Sequence, residues 1–197
     1  INMKRGGRFY AMGTSWQNIK SEARRNLQIG GEAVTELDYR NLHPAILYAE
    51  AEAPLPIDCY DIEGWPRKLV KVAMLTLINA PTKQKARLAI AHNEQMADVA
   101  QIGTQDALSA ADSLIQAIKR RHRPIAASFH SDAGARLMSI DAAMAEMVMN
   151  VMLSKGIVVL PVHDSFLVQA SKADELEAAM LEAAHRAGYE ALQVDTK

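Results

Sequence analysis

The chain has 197 residues, enough for one domain of ordinary size, alone or with a small helical insertion. Apolar residues make up 49% and aromatic ones only 5%, with Ala and Met abundant, which excludes an aromatic-rich β-sandwich and leaves a helix-rich core. The formal net charge of −1 denies the chain a global attraction for phosphate, so any nucleic-acid binding must come from local clusters.

Basic residues gather at 4–8, 24–25, 83–87 and 119–123, and acidic ones at 174–182; each run alone reads as readily as a solvated face. Cys59 is the only cysteine, which excludes an internal disulfide and a cysteine-rich zinc site and fits a reducing, cytoplasmic setting. No run approaches the ~18 consecutive apolar residues of a membrane span, and no apolar signal core follows the basic start. No membrane partner is expected. Beginning at Ile1 rather than Met, the chain reads as a piece of a longer one.

In chain order, residues 1–31 are polar and glycine-punctuated, and read as a loop with short extended pieces. Residues 32–39 alternate as a strand, and Pro44 suits the start of a short helix over 44–53. Pro66 suits the first turn of a helix over 67–80, which Pro81 ends. Helical periodicity returns over 83–101 and 105–121, with Gly103 and Pro124 as breaks. The longest helical pattern covers 132–155, capped by Gly156. Residues 157–160 and 166–170 are β-prone and flank His163-Asp164, the shape of a hairpin with an acid at its tip. A final amphipathic helix over 173–187 and an edge strand over 191–194 complete the chain. This order is α+β rather than the strict alternation of a doubly wound sheet.

Two acidic segments stand out, Thr35-Glu36-Leu37-Asp38-Tyr39 and Val162-His163-Asp164-Ser165-Phe166, each placing a carboxylate at the end of a β-prone run. Such a pair on neighbouring strands could hold two divalent cations about 4 Å apart, as nucleotidyl transfer requires. Without metal the pair would repel and raise one pKa. Magnesium suits it, because that ion keeps waters and needs few protein carboxylates. The plainer readings are a helix cap for Asp38 and an ordinary turn for His163-Asp164. On the helix over 67–80, Arg67, Lys71, Leu75 and Asn79 recur every four residues along one side. That side presents two cations for a triphosphate. Its plainer reading is a solvated face beside a core stripe of Leu69, Val72, Ala73 and Leu77.

Four segments in order resemble the motifs of family A DNA polymerases, the bacterial DNA polymerase I family. Gly7-Arg8-Phe9 with Trp16-Gln17-Asn18-Ile19 is similar to the G-R-L and L-Q-N-I-P approach to the palm. Asp38-Tyr39-Arg40-Asn41-Leu42-His43-Pro44 is similar to D-Y-S-Q-I-E-L, Arg67-Lys68-Leu69-Val70-Lys71 through Asn79-Ala80 to the fingers helix R-R-x-x-K, and Val162-His163-Asp164-Ser165 to V-H-D-E.

The resemblance implies an α+β polymerase palm with an antiparallel sheet and reduced helical fingers: palm in 1–65, fingers-like helices in 66–122, and palm with the catalytic hairpin in 123–197. It implies DNA-directed DNA polymerase activity on a primer–template with nucleoside triphosphates and two Mg2+ ions. Asp38, Asp164 and the Tyr39 carbonyl would hold the metals, with Lys71 counted beside the two acids as catalytic. Arg67 and Lys71 would grip the triphosphate, and His43, Tyr39, Leu75 and Asn79 would form the sugar and base pocket. Arg8, Gln17, Asn18, His163, Arg121 and Arg123 would meet nucleic acid.

The departures from the family pattern are specific. His43 stands where the family has its sugar-gating glutamate, Asn79 where it has tyrosine, and Ser165 where it has a third acid. The glutamine of the second primer–template segment is absent before Gly134. No thumb precedes the palm, so an N-terminal region or accessory protein would have to hold the duplex. The reduced form suits a phage or mobile-element origin. The sequence Val162-His163-Asp164-Ser165-Phe166 also resembles the H-D-S-F of single-subunit RNA polymerases, which keeps a primase-like RNA-synthesising enzyme open. A non-catalytic nucleic-acid-binding relic and an unrelated α+β domain are the remaining alternatives.

Overall fold

The computed structural model describes residues 7–13, 15–100 and 104–197. The basic pair Lys4-Arg5 and the expected break at Gly103 lie outside the described residues. The chain is mixed α and β, 57% helical with a small antiparallel sheet, in keeping with the α+β expectation. It divides into two compact units, Ile1–Ile46 with Leu137–Lys197, and Leu47–Arg136.

The first unit holds the sheet. A 3-10 turn, Trp16–Asn18, and a one-turn helix α1, Ser21–Arg24, stand where a loop is expected. Strand β1, Gln28–Ile29, turns through Gly30 and Gly31, both at positive φ, into β2, Glu32–Tyr39. That is the conformation a two-residue hairpin loop demands and glycine accepts. Strands β3, Leu160–Val162, and β4, Ser165–Gln169, form the expected hairpin, and β5, Val194–Thr196, closes the sheet. Strand β2 is central, pairing with β4 from Val34↔Gln169 to Asp38↔Ser165 and with β5 from Leu37↔Thr196 to Tyr39↔Val194.

Helix α8, Ala173–Arg186, buries Leu176, Ala179, Met180, Ala183 and Ala184, a stripe of helical period. It packs on β2, whose Tyr39 hydroxyl donates to the Met180 carbonyl at 2.7 Å. Leu37, Tyr39, Phe166 and Val168 therefore share the α8 face of the sheet, each fully buried and contributing about 2 kcal/mol. Because strand side chains alternate, Glu36, Asp38, Ser165 and Leu167 share the opposite face.

Helix α7, Ala133–Ser154, has the length and apolar composition of a membrane span, a property that the run-by-run reading did not register. Its Leu137, Asp141, Met144, Ala145, Val148 and Met152 are buried at helical spacing, as in a core helix. The helix ends in a Schellman cap at Gly156, with the Ile157 amide donating to Met152 and the Gly156 amide to Leu153.

The strand expected over 157–160 begins only at Leu160. Residues 157–159 are still leaving the helix cap, and the tight turn at His163-Asp164 sets the register as Val162↔Ser165. The edge strand expected over 191–194 forms at Val194–Thr196, where it meets the free edge of β2. Pro161 lies in the edge strand β3, where a missing amide costs nothing.

In the second unit, α3, Arg67–Asn79, matches its expected span and buries Leu69, Val70, Ala73, Met74, Leu77 and Ile78. Val72 is therefore not part of its core stripe. Helix α2, Leu42–Glu50, begins two residues before Pro44 and is shared between the units. The helix expected over 83–101 is two, α4, Lys83–Ala91, and α5, Glu94–Ala100. Asn93 breaks it, its side chain capping the new start by accepting from the Gln95 amide at 3.0 Å. Helix α6, Thr104–Arg121, packs against α3, α4 and α5. His122 is a satisfied core histidine, donating from Nε2 to the Cys59 carbonyl and accepting at Nδ1 from the Tyr48 hydroxyl, both at 2.9 Å.

Candidate active site

The two acids that stand 126 residues apart in sequence (164 − 38) meet in the first unit. Asp38 is the cross-strand partner of Ser165, and the Tyr39 amide donates to the Asp164 carbonyl at 3.4 Å, stitching the end of β2 to the hairpin tip. His163, the first turn residue, sits at φ 60°, the left-handed region such a turn requires at that position. A non-glycine residue held there carries strain that functional sites commonly retain.

Asp38 is short of partners. Its Oδ2 meets the Lys197 ammonium at 3.1 Å, but its Oδ1 is buried without any hydrogen-bond partner. Burial, reinforced by the neighbouring Asp164 charge and opposed by Lys197, pushes its pKa up to about 6. Asp195, its partner on β5, is drawn away by a two-pronged ion pair with Arg40 at 2.7 and 2.5 Å. The buried Asp141 of α7 is likewise pushed up to about 6, by burial first, with Arg8 opposing and Asp164 and Asp38 adding repulsion. The result is a concentration of negative charge that the protein only partly neutralises.

Glu36 is better satisfied. Arg24 grips both its oxygens, at 3.0 and 2.8 Å, and the Ser165 hydroxyl lies 2.7 Å from Oε1. Burial raises its pKa, but the bonds from Arg24 and Ser165 and the Lys197 charge outweigh that and hold it below the ordinary value. Ser165 is thus buried against a glutamate that already lies on the Asp38 face of the sheet.

The expected nucleic-acid residues of this unit divide by how they are used. Arg8 donates from Nε to Asp141 at 3.3 Å. Gln17 spends its amide internally, donating to the Phe9 and Pro161 carbonyls and accepting from the Ala11 amide, all at 2.9 Å. It positions the loop after Arg8 instead of presenting a free amide. Asn18 is exposed. His163 is exposed, its ring edge-on to Tyr10 with centroids 6.4 Å apart, and Tyr10 itself is 69% exposed. His43 is half-buried and within reach of the Asp164 and Arg8 charges; burial is the main cause of its lowered pKa.

In the second unit, Arg67, Lys71, Leu75 and Asn79 do lie along the less buried side of α3. Arg67 is paired with Asp58 at 2.6 Å, and both its guanidinium and the Lys71 ammonium lie over the Tyr60 ring, at 5.3 and 5.7 Å from its centroid. That ring orients two cations on one surface. Leu75 and Asn79 line a largely apolar groove of about 460 Å3 with Val72, Thr76, Lys85 and Ala89. The Asn79 amide folds back to donate to the Leu75 carbonyl at 2.7 Å. Arg121 and Arg123 are exposed.

The sequence reading missed Glu36, Asp141 and Lys197 as site residues. Glu36 was legible, since period-two alternation puts residues 36 and 38 on one face. Asp141 and Lys197 carried no local signal.

Among the described residues no group of three or more His, Cys, Asp or Glu side chains is gathered for a metal. Asp38, with its orphaned buried oxygen, and Asp164 are the side chains there that could hold an oxygen-loving ion that completes its shell with water. No protein-family model and no curated protein matches the chain.

Proposed function

We propose that the chain is the catalytic part of a nucleotidyltransferase with a polymerase palm, extending a nucleic-acid primer along a template from nucleoside triphosphates, as a DNA-directed DNA polymerase does. The observation that carries this reading is the buried, unpartnered Oδ1 of Asp38 beside Asp164. A carboxylate buried at a cost, with one oxygen bare and a second acid beside it, is the kind of site that a cation would relieve.

Asp38 and Asp164, with the Tyr39 carbonyl, would hold two magnesium ions. When bound, such ions favour ionisation of the attacking hydroxyl and offset charge on the transferring phosphoryl group. Arg67 and Lys71, oriented over Tyr60, bind the triphosphate, and the Leu75 and Asn79 groove takes the base. Arg8, held by Asp141, and His163 with Tyr10 contact the primer end, Asn18 approaches the same strand, and Arg121 and Arg123 bind phosphates. His43 crowds the sugar. Gln17 acts by holding the loop that follows Arg8.

The test is extension of a labelled primer on a template, with and without Mg2+, comparing deoxyribo- and ribonucleoside triphosphates. Magnesium-dependent growth that Asp164→Asn abolishes supports the reading, and preference for ribonucleotides would move it to RNA synthesis. One observation favours a second reading, a non-catalytic nucleic-acid-binding relic: the Lys197 ammonium already lies 3.1 Å from Asp38 Oδ2, beside the place a metal ion would take. It predicts duplex binding without magnesium and no product.

A further inference from the structure

We infer that Lys197 is a built-in counter-cation of the Asp38 and Glu36 carboxylates, which a divalent ion must displace, so that Lys197 sets how tightly the site takes metal. This rests on the metal-binding reading above and concerns how that same site is regulated.

Position comes first. The Lys197 amide donates to the Glu36 carbonyl at 2.9 Å, continuing the pairing of β5 with β2 by one step past Leu37↔Thr196. Lys197 therefore stands opposite Glu36 and diagonal to Asp38, on the acid face of the sheet. Its Nζ lies 3.3 Å from Glu36 Oε1 and 3.1 Å from Asp38 Oδ2.

Charge comes second. Glu36 does not need this ammonium, because Arg24 already holds both its oxygens. The uncompensated charge belongs to Asp38 and Asp164, and there Lys197 serves one oxygen and leaves Oδ1 bare. A divalent ion taking Oδ1 would share a carboxylate with an ammonium, and like charges that close repel strongly at a partly buried site. Lys197 also has somewhere to go: it is 35% exposed and lines a cavity of about 310 Å3 with Ser21, Arg25, Glu36 and Leu167. A long flexible side chain can withdraw into that space while its backbone stays paired.

The experiment measures Mn2+ binding to the full chain by electron paramagnetic resonance, in wild type, Lys197→Met, Lys197→Arg and Asp38→Asn. The expected result is binding about tenfold tighter in Lys197→Met, little change in Lys197→Arg, and loss of binding in Asp38→Asn. Equal or weaker binding in Lys197→Met, with Asp38→Asn still abolishing it, overturns the role of Lys197 and leaves the metal site standing. Unchanged binding in Asp38→Asn removes the metal site, and this inference with it. A second measurement needs no variant: on adding Mg2+, the Lys197 amine of the wild-type chain should react several-fold faster with an amine-acylating reagent, read by peptide mass. An unchanged rate means the ammonium is not displaced.

Discussion

Replacing Asp38 by Asn should make the metal-free protein more stable while destroying primer extension. The rise of the Asp38 pKa from 3.8 to about 6, at about 1.4 kcal/mol per tenfold change in proton affinity, corresponds to ~3 kcal/mol against the ionised form in the fold. The side chain is 24% exposed and the substitution also gives up the attraction of Lys197, so the gain expected at pH 7.5 is about 1–2 kcal/mol. For a chain of this length that is a rise in Tm of about 2–8 °C. The sign follows from linkage: a carboxyl whose folded pKa is raised favours folding below its unfolded pKa and loses that contribution as pH rises through about 6. The advantage of Asp38→Asn should therefore shrink towards zero near pH 4. Thermal melts followed by circular dichroism in chelator, at pH 7.5 and pH 4, read both effects. A Tm lowered by several degrees at pH 7.5, or the same difference at both pH values, would refute the view of Asp38 as a strained ligand and make it a structural residue.

Mg2+ affinity should rise with pH up to about 6 and level off above it, since the Asp38 proton must leave for a cation to enter; calorimetric titration between pH 5 and 8 checks this, and a flat profile speaks against Asp38 as a ligand. His163→Gly should leave the fold as stable as wild type or up to about 1 kcal/mol more stable, because glycine accepts the positive φ freely, whereas His163→Val should cost about 1–2 kcal/mol; urea denaturation measures both. Gly134→Ala would place a Cβ 1.8 Å from Asn79 Oδ1 and should destabilise the protein by about 1 kcal/mol, with Asn79→Ala restoring most of the loss in the double variant; additive losses would mean the two positions do not meet.

Local pattern determined the strand that carries Asp38, the hairpin with Asp164 at its tip and the span of α3, because alternation, turn residues and proline stops act within a few residues. Where that pattern misled, a nearby contact outweighed it: Asn93 caps a new helix inside an otherwise continuous periodicity, and the cap after α7 delays β3 to Leu160. The sequence also placed Glu36 and Asp38 on one face, through period two alone. Only the tertiary structure decided what those carboxylates face. Arg24 reaches Glu36, Arg8 reaches Asp141, and Lys197 reaches Asp38 from 159 residues away (197 − 38), pairings that depend on strand register and leave no trace in local composition. The same is true of the oxygen left unpaired on Asp38, since a missing partner is a property of the packed neighbourhood and not of any residue in it.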